Sequence, residues 1–382
     1  MMKLNAATFI AIGVSQGDAF FMEKGDRRLL VDGGNSISDF PNQFTKATNK
    51  NDVDVLVCTH NDSDHARGVL GFLRGRLAAK EVWLPASWMD RLSDLISNPE
   101  NFWKELVADI EKLEANKVEN LHSLGEMYLI MSLEREGPLV EENVENLMKM
   151  FQYSLQSHPS SALQLWKKYS NLWLLDKRYR LMIEAVKASN LIREIVLAAY
   201  RSGSLIRWYD YVGNSKYSNP SGGISDFLVP VNAVEVTKIR RRKKSALEYV
   251  ALTRVNKESL VFMSPKDDVS PCVLFTADSD LSFYQVIQWH EQMIITSPHH
   301  GSEDNRNAYT RFNRETQGEL SVVWVRSDRR LSRRPGTSYL AVCGDKYCTV
   351  CRGSRLSTQN VLLSFSKLNI AWQPINTRKC QC

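Results

Sequence analysis

The stretch HNDSDH, residues 60–65, holds four side chains able to bind metal and determines the predicted fold. It follows DVLVCT at residues 54–59, a short β-branched apolar run typical of a buried strand. After it, ARGVLGFL at residues 66–73 indicates the start of a helix. The motif is therefore predicted to lie where a strand ends and a helix begins.

The spacing within this motif indicates which side chains share an ion. Because successive side chains of an extended backbone point to opposite sides, His60 and Asp62 are expected to face one ion. Asp64 and His65, at the turn into the helix, are expected to hold a second ion. Mixed imidazole and carboxylate ligands suit zinc, manganese or iron better than calcium or magnesium. The alternative is a polar loop whose aspartate caps the helix.

Two further ligand groups occur downstream in similar contexts. The apolar run CVLFTA at residues 272–277 ends on Asp278, which is placed to bridge two metals. The run IITSP at residues 294–298 breaks at proline into the pair His299 and His300. One histidine of the pair is expected to bind metal, although a lone histidine is usually an ordinary polar or core residue.

These groups belong to a wider resemblance. GVSQGDA at residues 13–19 and LVDGGN at residues 30–35 precede HNDSDH, and HHGS at residues 299–302 follows the strand that ends at Asp278. Together they resemble the metallo-β-lactamase-fold hydrolases, and within them the hydrolase domain of ComEC-type DNA-uptake proteins. The resemblance covers about residues 6–92 and 225–330. It implies an α/β fold, the four-layer αββα sandwich.

The resemblance also implies a ligand set for two divalent ions, zinc or manganese. Carried over by position, it places His60 and Asp62 on one metal, Asp64 and His65 on the other, Asp278 between them, and His299 or His300 completing the shell. Asp32 is expected to orient the ligand loop without binding metal, and Asp18 to belong to the same supporting layer. Ordinary turn chemistry at Asp-Gly-Gly explains Asp32 equally well.

One ligand that many relatives use on the first metal is not evident. Only His122 and His158 lie between the hexapeptide and Asp278, both in an apparently helical segment. The first metal site is therefore expected to be incomplete or filled by water. With two ions in place, a bridging water is deprotonated near neutral pH and the oxygens of a phosphoryl or acyl centre are clamped. Asp64 or Asp278 would position the water, and whichever of His299 and His300 is free of metal would protonate the leaving group.

The chain is long enough for a large core and an appended module, at 382 residues of which 43% are hydrophobic. Between residues 94 and 215 strand signals give way to helical periodicity. This inserted α-helical subdomain is expected to form a lid or a partner-docking surface; an inert helical decoration is the alternative. The predicted organisation is a first half of the sandwich at 1–93, the insertion at 94–215, a second half at 216–335 and a Cys-rich C-terminal extension at 336–382.

No apolar run approaches 18 residues, so no membrane span is predicted. The first residues are interpreted as a strand and not as a signal peptide. A cytoplasmic protein without a membrane partner is therefore expected, unlike the DNA-uptake proteins.

Charge divides along the same boundaries. The insertion carries 14 Lys or Arg against 17 Asp or Glu, although the whole chain has a net charge of +6. Two basic clusters lie in the catalytic part, and either alone is commonly a solvated loop. Flanking a metal site, they indicate a polyanion such as nucleic acid. The predicted contacts are Arg240, Arg241, Arg242, Lys243, Lys244, Arg329 and Arg330.

The C-terminus holds a separate cysteine pattern. Cys348 and Cys351 form a Cys-x-x-Cys pair, and Cys380 and Cys382 follow at the chain end. In a reducing compartment disulfides are not expected. A structural zinc held by these four thiols is predicted, with redox-active or free thiols as the alternative.

The sequence thus predicts a metal-dependent hydrolase, favoured as a phosphodiesterase or nuclease. Stand-alone relatives with large insertions resemble members of bacterial antiviral defence systems in which a partner controls the hydrolase. One alternative is a hydrolase of small lactones, thioesters or amides, against which the basic clusters count. The other is a non-catalytic scaffold acting through the insertion, which the missing histidine favours.

Overall fold

The computed structural model describes residues 6–112, 139–143, 177–242, 244–268, 270–327, 334–350, 359–366 and 371–380. Most of the predicted insertion lies outside these ranges. The strands are β1 (Ala6–Ala11), β2 (Phe20–Lys24), β3 (Arg27–Val31), β4 (Asp52–Val57), β5 (Ala78–Pro85), β6 (Leu139–Asn143), β7 (Leu205–Tyr211), β8 (Val229–Pro230), β9 (Ala233–Val236), β10 (Lys238–Arg242), β11 (Phe262–Ser264), β12 (Val273–Phe275), β13 (Ile294–Thr296), β14 (Val323–Arg326), β15 (Asp345–Cys348), β16 (Val361–Ser366) and β17 (Gln373–Pro374). The helices are α1 (Phe40–Thr48), α2 (Ser63–Arg74), α3 (Leu92–Ser97), α4 (Pro99–Glu111), α5 (Lys177–Arg201), α6 (Ala246–Leu252), α7 (Arg306–Thr316) and α8 (Thr337–Ala341).

Two mixed sheets form the centre of the molecule. Within the described ranges, the large sheet has the strand order β17-β16-β1-β2-β3-β4-β5-β7-β9, and the smaller sheet has the order β15-β14-β13-β12-β11-β8. Strands β3, β4, β5 and β7 run parallel, and so do β12 to β15. Because parallel strands end at one edge of a sheet, the loops after them converge there.

Period-two alternation divides the strand residues between separate cores. On β4, Val55 and Val57 face the core between the sheets, whereas Leu56 faces the helices. On β12, Phe275 faces the core between the sheets and Leu274 faces the other way, towards α7 and α8. The layers therefore follow the order helix, sheet, sheet, helix, which agrees with the predicted αββα arrangement.

Helices α1 to α6 cover the outer face of the large sheet. Their buried residues share one core with the sheet; examples are Phe102 on α4, Ile192 on α5 and Val250 on α6. Helix α6 begins with a capping box, in which the Ser245 hydroxyl accepts from the Glu248 amide and the Glu248 carboxylate accepts from the Ser245 amide. In the described part of the chain, none of the helices combines the length and apolar character needed to cross a bilayer.

Several strands differ from the sequence interpretation. Strands β6 and β7 lie within residues 94–215, where only helices were predicted; β6 pairs with β10, and β7 pairs with β5 and β9 in the large sheet. Pairing with β5 and β9 stabilises the extended conformation of β7, and such tertiary contacts override weak local sequence preferences. The C-terminal range also contributes to both sheets, because β15 pairs with β14 and β16 pairs with β1. The described parts of residues 336–382 thus contribute strands to both sheets of the sandwich.

Candidate metal centre

The predicted ligands come from loops at the carboxyl ends of parallel strands. HNDSDH follows β4, Asp278 follows β12, and His299 and His300 follow β13. The β13 loop is tied to the β12 loop, because the His299 amide donates to the Ala277 carbonyl at 3.0 Å. The fold therefore brings together three segments that are far apart in the chain.

The hexapeptide ends in the first turn of α2. Asp62 has the N-cap position, but its side chain makes no capping hydrogen bond. Its Oδ1 instead accepts from Arg254 Nε at 2.6 Å, and its Oδ2 lies 3.9 Å from His60 Nε2. The alternative interpretation, a capping aspartate in a polar loop, is therefore not what the structure shows.

Three imidazole rings are held through Nδ1 so that Nε2 faces the centre. Asp32 accepts from His65 Nδ1 at 2.8 Å and from the amide and hydroxyl of Thr59. Because that hydroxyl donates to Asp32, it accepts from His60 Nδ1 at 3.0 Å. Asp18 Oδ1 faces His300 Nδ1 at 2.9 Å. Carboxylates in this position fix the tautomer of a metal-binding histidine. The prediction for Asp32 was that it orients the ligand loop, and for Asp18 that it belongs to the same supporting layer.

The inward-facing atoms are buried and make no hydrogen bond of regular geometry. These atoms are His60 Nε2, His65 Nε2, His300 Nε2 and Asp278 Oδ1, and Asp278 is 2% exposed. Leaving so many polar atoms unsatisfied in one place is costly unless a ligand meets them. The donor set therefore fits a divalent cation of the zinc or manganese type.

The donors form two groups that share Asp278. The first position, as we call it, comprises His60, Asp62 and Asp278, with His60 Nε2 3.6 Å from Asp278 Oδ2. In the second position, His65 Nε2 and His300 Nε2 lie 3.1 and 3.8 Å from Asp278 Oδ1. Donors about 2 Å from one ion lie roughly 3 to 3.5 Å apart. The 3.1 Å spacing falls in this range, and the 3.6 and 3.8 Å spacings lie slightly above it.

Asp18 and Asp64 relate differently to the second position. Asp18 also has an oxygen within 4.8 Å of donors on His65, Asp278 and His300. Asp18 Oδ1 meets the Nδ1 side of the His300 ring, whereas Asp18 Oδ2 is buried without a hydrogen-bond partner. Asp64 Oδ2 lies 3.4 Å from His300 Nε2. We define the second position by the predicted ligands Asp64, His65, His300 and Asp278, and Asp18 Oδ2 is a further candidate donor beside it.

The histidine pair divides into two environments. His300 is fully buried and directs Nε2 into the second position. The His299 ring is 18% exposed, with Nδ1 3.0 Å from Asn305 Oδ1 and Nε2 2.6 Å from an Arg334 nitrogen. His299 Nε2 also lies 3.6 Å from Asp278 Oδ2. His300 is thus the one with the geometry of a ligand.

Left-handed backbone recurs at these loops. Positive φ angles occur at Asp32 (58°), Ala277 (47°), His299 (46°) and His300 (56°). Such angles are uncommon outside glycine and concentrate at functional sites. Gly17 also has a positive φ of 92°, and a Cβ there would overlap the Asp64 carbonyl. A side chain at residue 17 is therefore incompatible with the present position of Asp64.

In the absence of a metal, the buried histidines and carboxylates stabilise one another's charges. Burial opposes the charged form of His300, but Asp18 and Asp278 more than offset it and raise its pKa to about 10. Burial likewise opposes charge on His65, and Asp278 and Asp32 hold its pKa well above the usual range. Burial would raise the pKa of Asp278, yet the neighbouring histidines hold it well below its ordinary value. A divalent cation would compete with the ring protons for these donors.

Sequence reasoning missed the loop after α6, which has no recognisable motif. From it, Arg254 contacts Asp62, Asn256 Nδ2 lies 3.4 Å from Asp278 Oδ2, and Lys257 Nζ lies 3.6 Å from Asp280. Burial disfavours charge on Arg254, but Asp62 raises the pKa of the guanidinium above its ordinary value.

Helix α5 of the predicted insertion forms part of the wall of the candidate metal centre. Asn61 Nδ2 donates to the Ala188 carbonyl at 3.1 Å, and Glu184 lies 3.9 Å from Arg254. A cleft opens beside His60; its lining includes Thr59, His60, Ser87, Tyr211, Lys244 and Glu258. Of the three donors of the first position, His60 lines this cleft, whereas Asp62 and Asp278 do not.

The predicted basic contacts are only partly described. Arg240, Arg241 and Arg242 belong to β10, which pairs with the acidic segment β6; Arg240 lies opposite Glu141. Lys244 forms an ion pair with Asp90 at 2.7 Å, so its charge is engaged within the protein. Lys243, Arg329 and Arg330 lie outside the described residues.

The predicted tail zinc site is likewise described in part. Cys348 is buried and Cys380 is partly exposed, and the Cys380 amide donates to the Lys346 carbonyl at 2.6 Å. The chain end therefore returns to the strand that carries Cys348. Cys351 and Cys382 lie outside the described residues, as do His122 and His158.

Comparison with known proteins agrees with this site. Residues 12–82 match the family model described as the metallo-beta-lactamase superfamily. The match includes Asp18, Asp32 and the whole HNDSDH motif. No curated protein matches the chain. The matched segment and the candidate ligand groups together support a metal-dependent hydrolase.

Proposed function

We propose that this protein is a metal-dependent phosphodiesterase that acts on nucleic acid. The observation that carries the proposal is the convergence of the buried Nε2 atoms of His60, His65 and His300 on Asp278. When bound, a divalent cation lowers the pKa of a coordinated water and polarises the centre under attack. The family match over residues 12–82 supports hydrolysis.

Cationic side chains at the rim support an anionic substrate. Arg254 and Arg334 present guanidinium groups beside Asp62 and His299, and Lys257 is 64% exposed nearby. Guanidinium groups match the planar arrangement of phosphate oxygens and hold them by charge-assisted hydrogen bonds. The net charge of +6 adds attraction for a polyanion. These features favour phosphodiesters over neutral lactones, thioesters or amides.

The proposed ligand set contains two metal positions. His60 and Asp62 serve the first, Asp64, His65 and His300 serve the second, and Asp278 serves both. Asp64 and Asp278 are proposed to orient the attacking water, and His299, whose ring is partly exposed, to contact the leaving group. Docking of a protein partner on the insertion is a further proposal, supported by the contacts of α5 with the ligand loop at Asn61 and with Arg254 in the loop after α6. A defence role rests on the resemblance alone, and we limit the proposal to chemistry and substrate class.

The test is a substrate panel for the purified chain with added Mn²⁺ or Zn²⁺. Labelled single- and double-stranded DNA and RNA, a small phosphodiester, a lactone and a thioester are assayed in parallel. Metal-dependent cleavage of nucleic acid and of the small phosphodiester is expected. Turnover confined to the lactone or thioester would instead support an acyl hydrolase. Absence of turnover despite bound metal would support a scaffold.

A further inference from the structure

The loop after α6 presents N–H donors to the first position. Arg254 Nε donates to Asp62 Oδ1 at 2.6 Å, and Asn256 Nδ2 lies 3.4 Å from Asp278 Oδ2. A cation requires lone pairs, which a guanidinium cannot offer. Asp62 and Asp278, two of the three ligands of this position, therefore each already accept a hydrogen bond.

Arg254 contacts Asp62 directly, whereas its electrostatic interaction with Asp64 of the second position acts over a longer distance. Within the described part of the chain, the ion pairs of Asp64 and Asp278 are with histidines alone. The donors of the second position are two imidazoles and two carboxylates, enough for the four ligands that zinc prefers. Among the described residues, the first position has three metal-binding side chains, and it shares one of them, Asp278, with the second position.

Arg254 is held in place by its surroundings. Glu184 on α5 lies 3.9 Å from its guanidinium. The adjacent Thr253 accepts the Asn61 amide at its carbonyl and the Asn61 side chain at its hydroxyl, at 3.2 and 3.3 Å. The loop that carries Arg254 is thus fixed to the loop that carries the ligands, and the positive charge stays beside Asp62.

From these contacts we infer that Arg254 makes the two metal positions unequal. Its fixed charge weakens cation binding at the first position, and the second position holds the resident metal. The inference rests on the metal centre of the proposed function. A unit charge a few ångströms from a divalent ion repels it by more than one decade of affinity, even at a high effective dielectric.

The test measures metal affinity directly, by titrating the metal-free chain with Mn²⁺ in a calorimeter. The wild-type chain is expected to bind one equivalent tightly and a second at least about tenfold more weakly. Arg254→Met should narrow that gap by about tenfold or more, whereas Arg254→Lys, which keeps the charge, should preserve most of it. Lys80→Met is the control, since it removes an exposed cation that pairs with Asp54 on β4, outside the ligand set, and should leave both constants unchanged.

Electron paramagnetic resonance gives an independent readout. At one equivalent of Mn²⁺ the wild-type chain should show the spectrum of isolated ions, and Arg254→Met should show coupled pairs. Two equal dissociation constants for Mn²⁺ in the wild-type chain would overturn the inference without contradicting the proposed function. Weaker metal binding in Arg254→Met would also overturn it, since Arg254 would then act only as a brace for Asp62. Absence of any metal binding in the wild-type chain would overturn both.

Discussion

Asp278 is the residue on which the candidate site depends most. Its Oδ1 lies 3.1 Å from His65 Nε2 and its Oδ2 lies 3.6 Å from His60 Nε2. Asp278→Asn keeps the side-chain volume but removes the negative charge. It also places an amide N–H group among the metal-binding atoms. Because metal ligands must offer lone pairs, we expect metal binding to weaken at least about 100-fold and hydrolysis to fall with it. Metal content after dialysis measures this effect.

The control for this substitution is Asp280→Asn. Asp280 is also buried, but it pairs with Lys257 and accepts the Ser282 amide, outside the ligand set. It should leave metal content unchanged. Equal metal retention by the two variants would show that Asp278 is not a ligand.

The residues of the site differ in how readily a sequence reveals them. HNDSDH, Asp278 and His300 follow apolar runs, and the loops after parallel strands meet at one sheet edge, so their convergence was predictable. Arg254 lies 192 positions from its partner Asp62 and belongs to no motif. The choice between His299 and His300 depends on the left-handed turn after Pro298, which the sequence pattern does not encode.

At the scale of elements, α2 packs closely on the loop after β3. A Cβ at Gly68 would approach the Gly33 carbonyl carbon and oxygen well inside contact distance. An alanine in an ordinary helix is stabilising relative to glycine by roughly 0.5–1 kcal/mol. Here we expect Gly68→Ala to lower the free energy of unfolding by about 1–3 kcal/mol, because the backbone must move apart. Urea denaturation monitored by circular dichroism measures the change.

Arg67→Ala on the exposed side of the same helix is the matched control, with an expected change within about 0.5 kcal/mol. A stabilised Gly68→Ala variant would mean that α2 and the β3 loop are not this close. The loop also carries Asp32, so weaker metal binding should accompany the loss of stability.

The C-terminal strand and tail give a second prediction at this scale. The Cys380 amide bonds to Lys346, two residues before Cys348. If Cys348, Cys351, Cys380 and Cys382 hold a structural zinc, as we propose, Cys348→Ser should release one zinc per chain. Metal at the catalytic ligands should remain, because that site lies on other loops. Zinc content measured together with thiol titration distinguishes the two sites.

Cys343→Ser is the control for the tail, since Cys343 is exposed and outside the predicted ligand set. It should retain all zinc. If all four proposed thiols react freely in the wild-type protein and no additional zinc is present, the tail has no metal site.

Across the whole molecule, the described layers agree with the predicted sandwich, whereas the domain limits were harder to predict. The short apolar runs that predicted strands are a local signal, and the structure has β4, β12 and β13 at those runs. Strand β7 is assigned to the large sheet only by its neighbours β5 and β9, far away in sequence. Helix α5, predicted as part of an insertion, packs on α2 and α4 within the same core as the sheet.

Charge at this scale predicts how nucleic acid binds. Replacing Arg329 and Arg330 with alanine should weaken nucleic-acid binding and lower the log–log salt slope by about one unit for each lost phosphate contact. Cleavage of a small phosphodiester should be unchanged. Lys80→Ala, which removes a 75% exposed lysine paired with Asp54, is the control and should preserve the slope. An unchanged salt slope in the double variant would show that Arg329 and Arg330 make no phosphate contacts. Arg254 and Arg334 would then remain as the cations proposed to bind phosphate.

The central claim is that a divalent metal binds among His65, His300 and Asp278. An anomalous-difference map, recorded at the absorption edge of zinc or manganese from crystals grown with that metal, tests it most directly. The expected result is a strong peak about 2.0–2.2 Å from Nε2 of both histidines and from an Asp278 oxygen. A map with no peak between these side chains, in a protein that binds metal in solution, would contradict the claim.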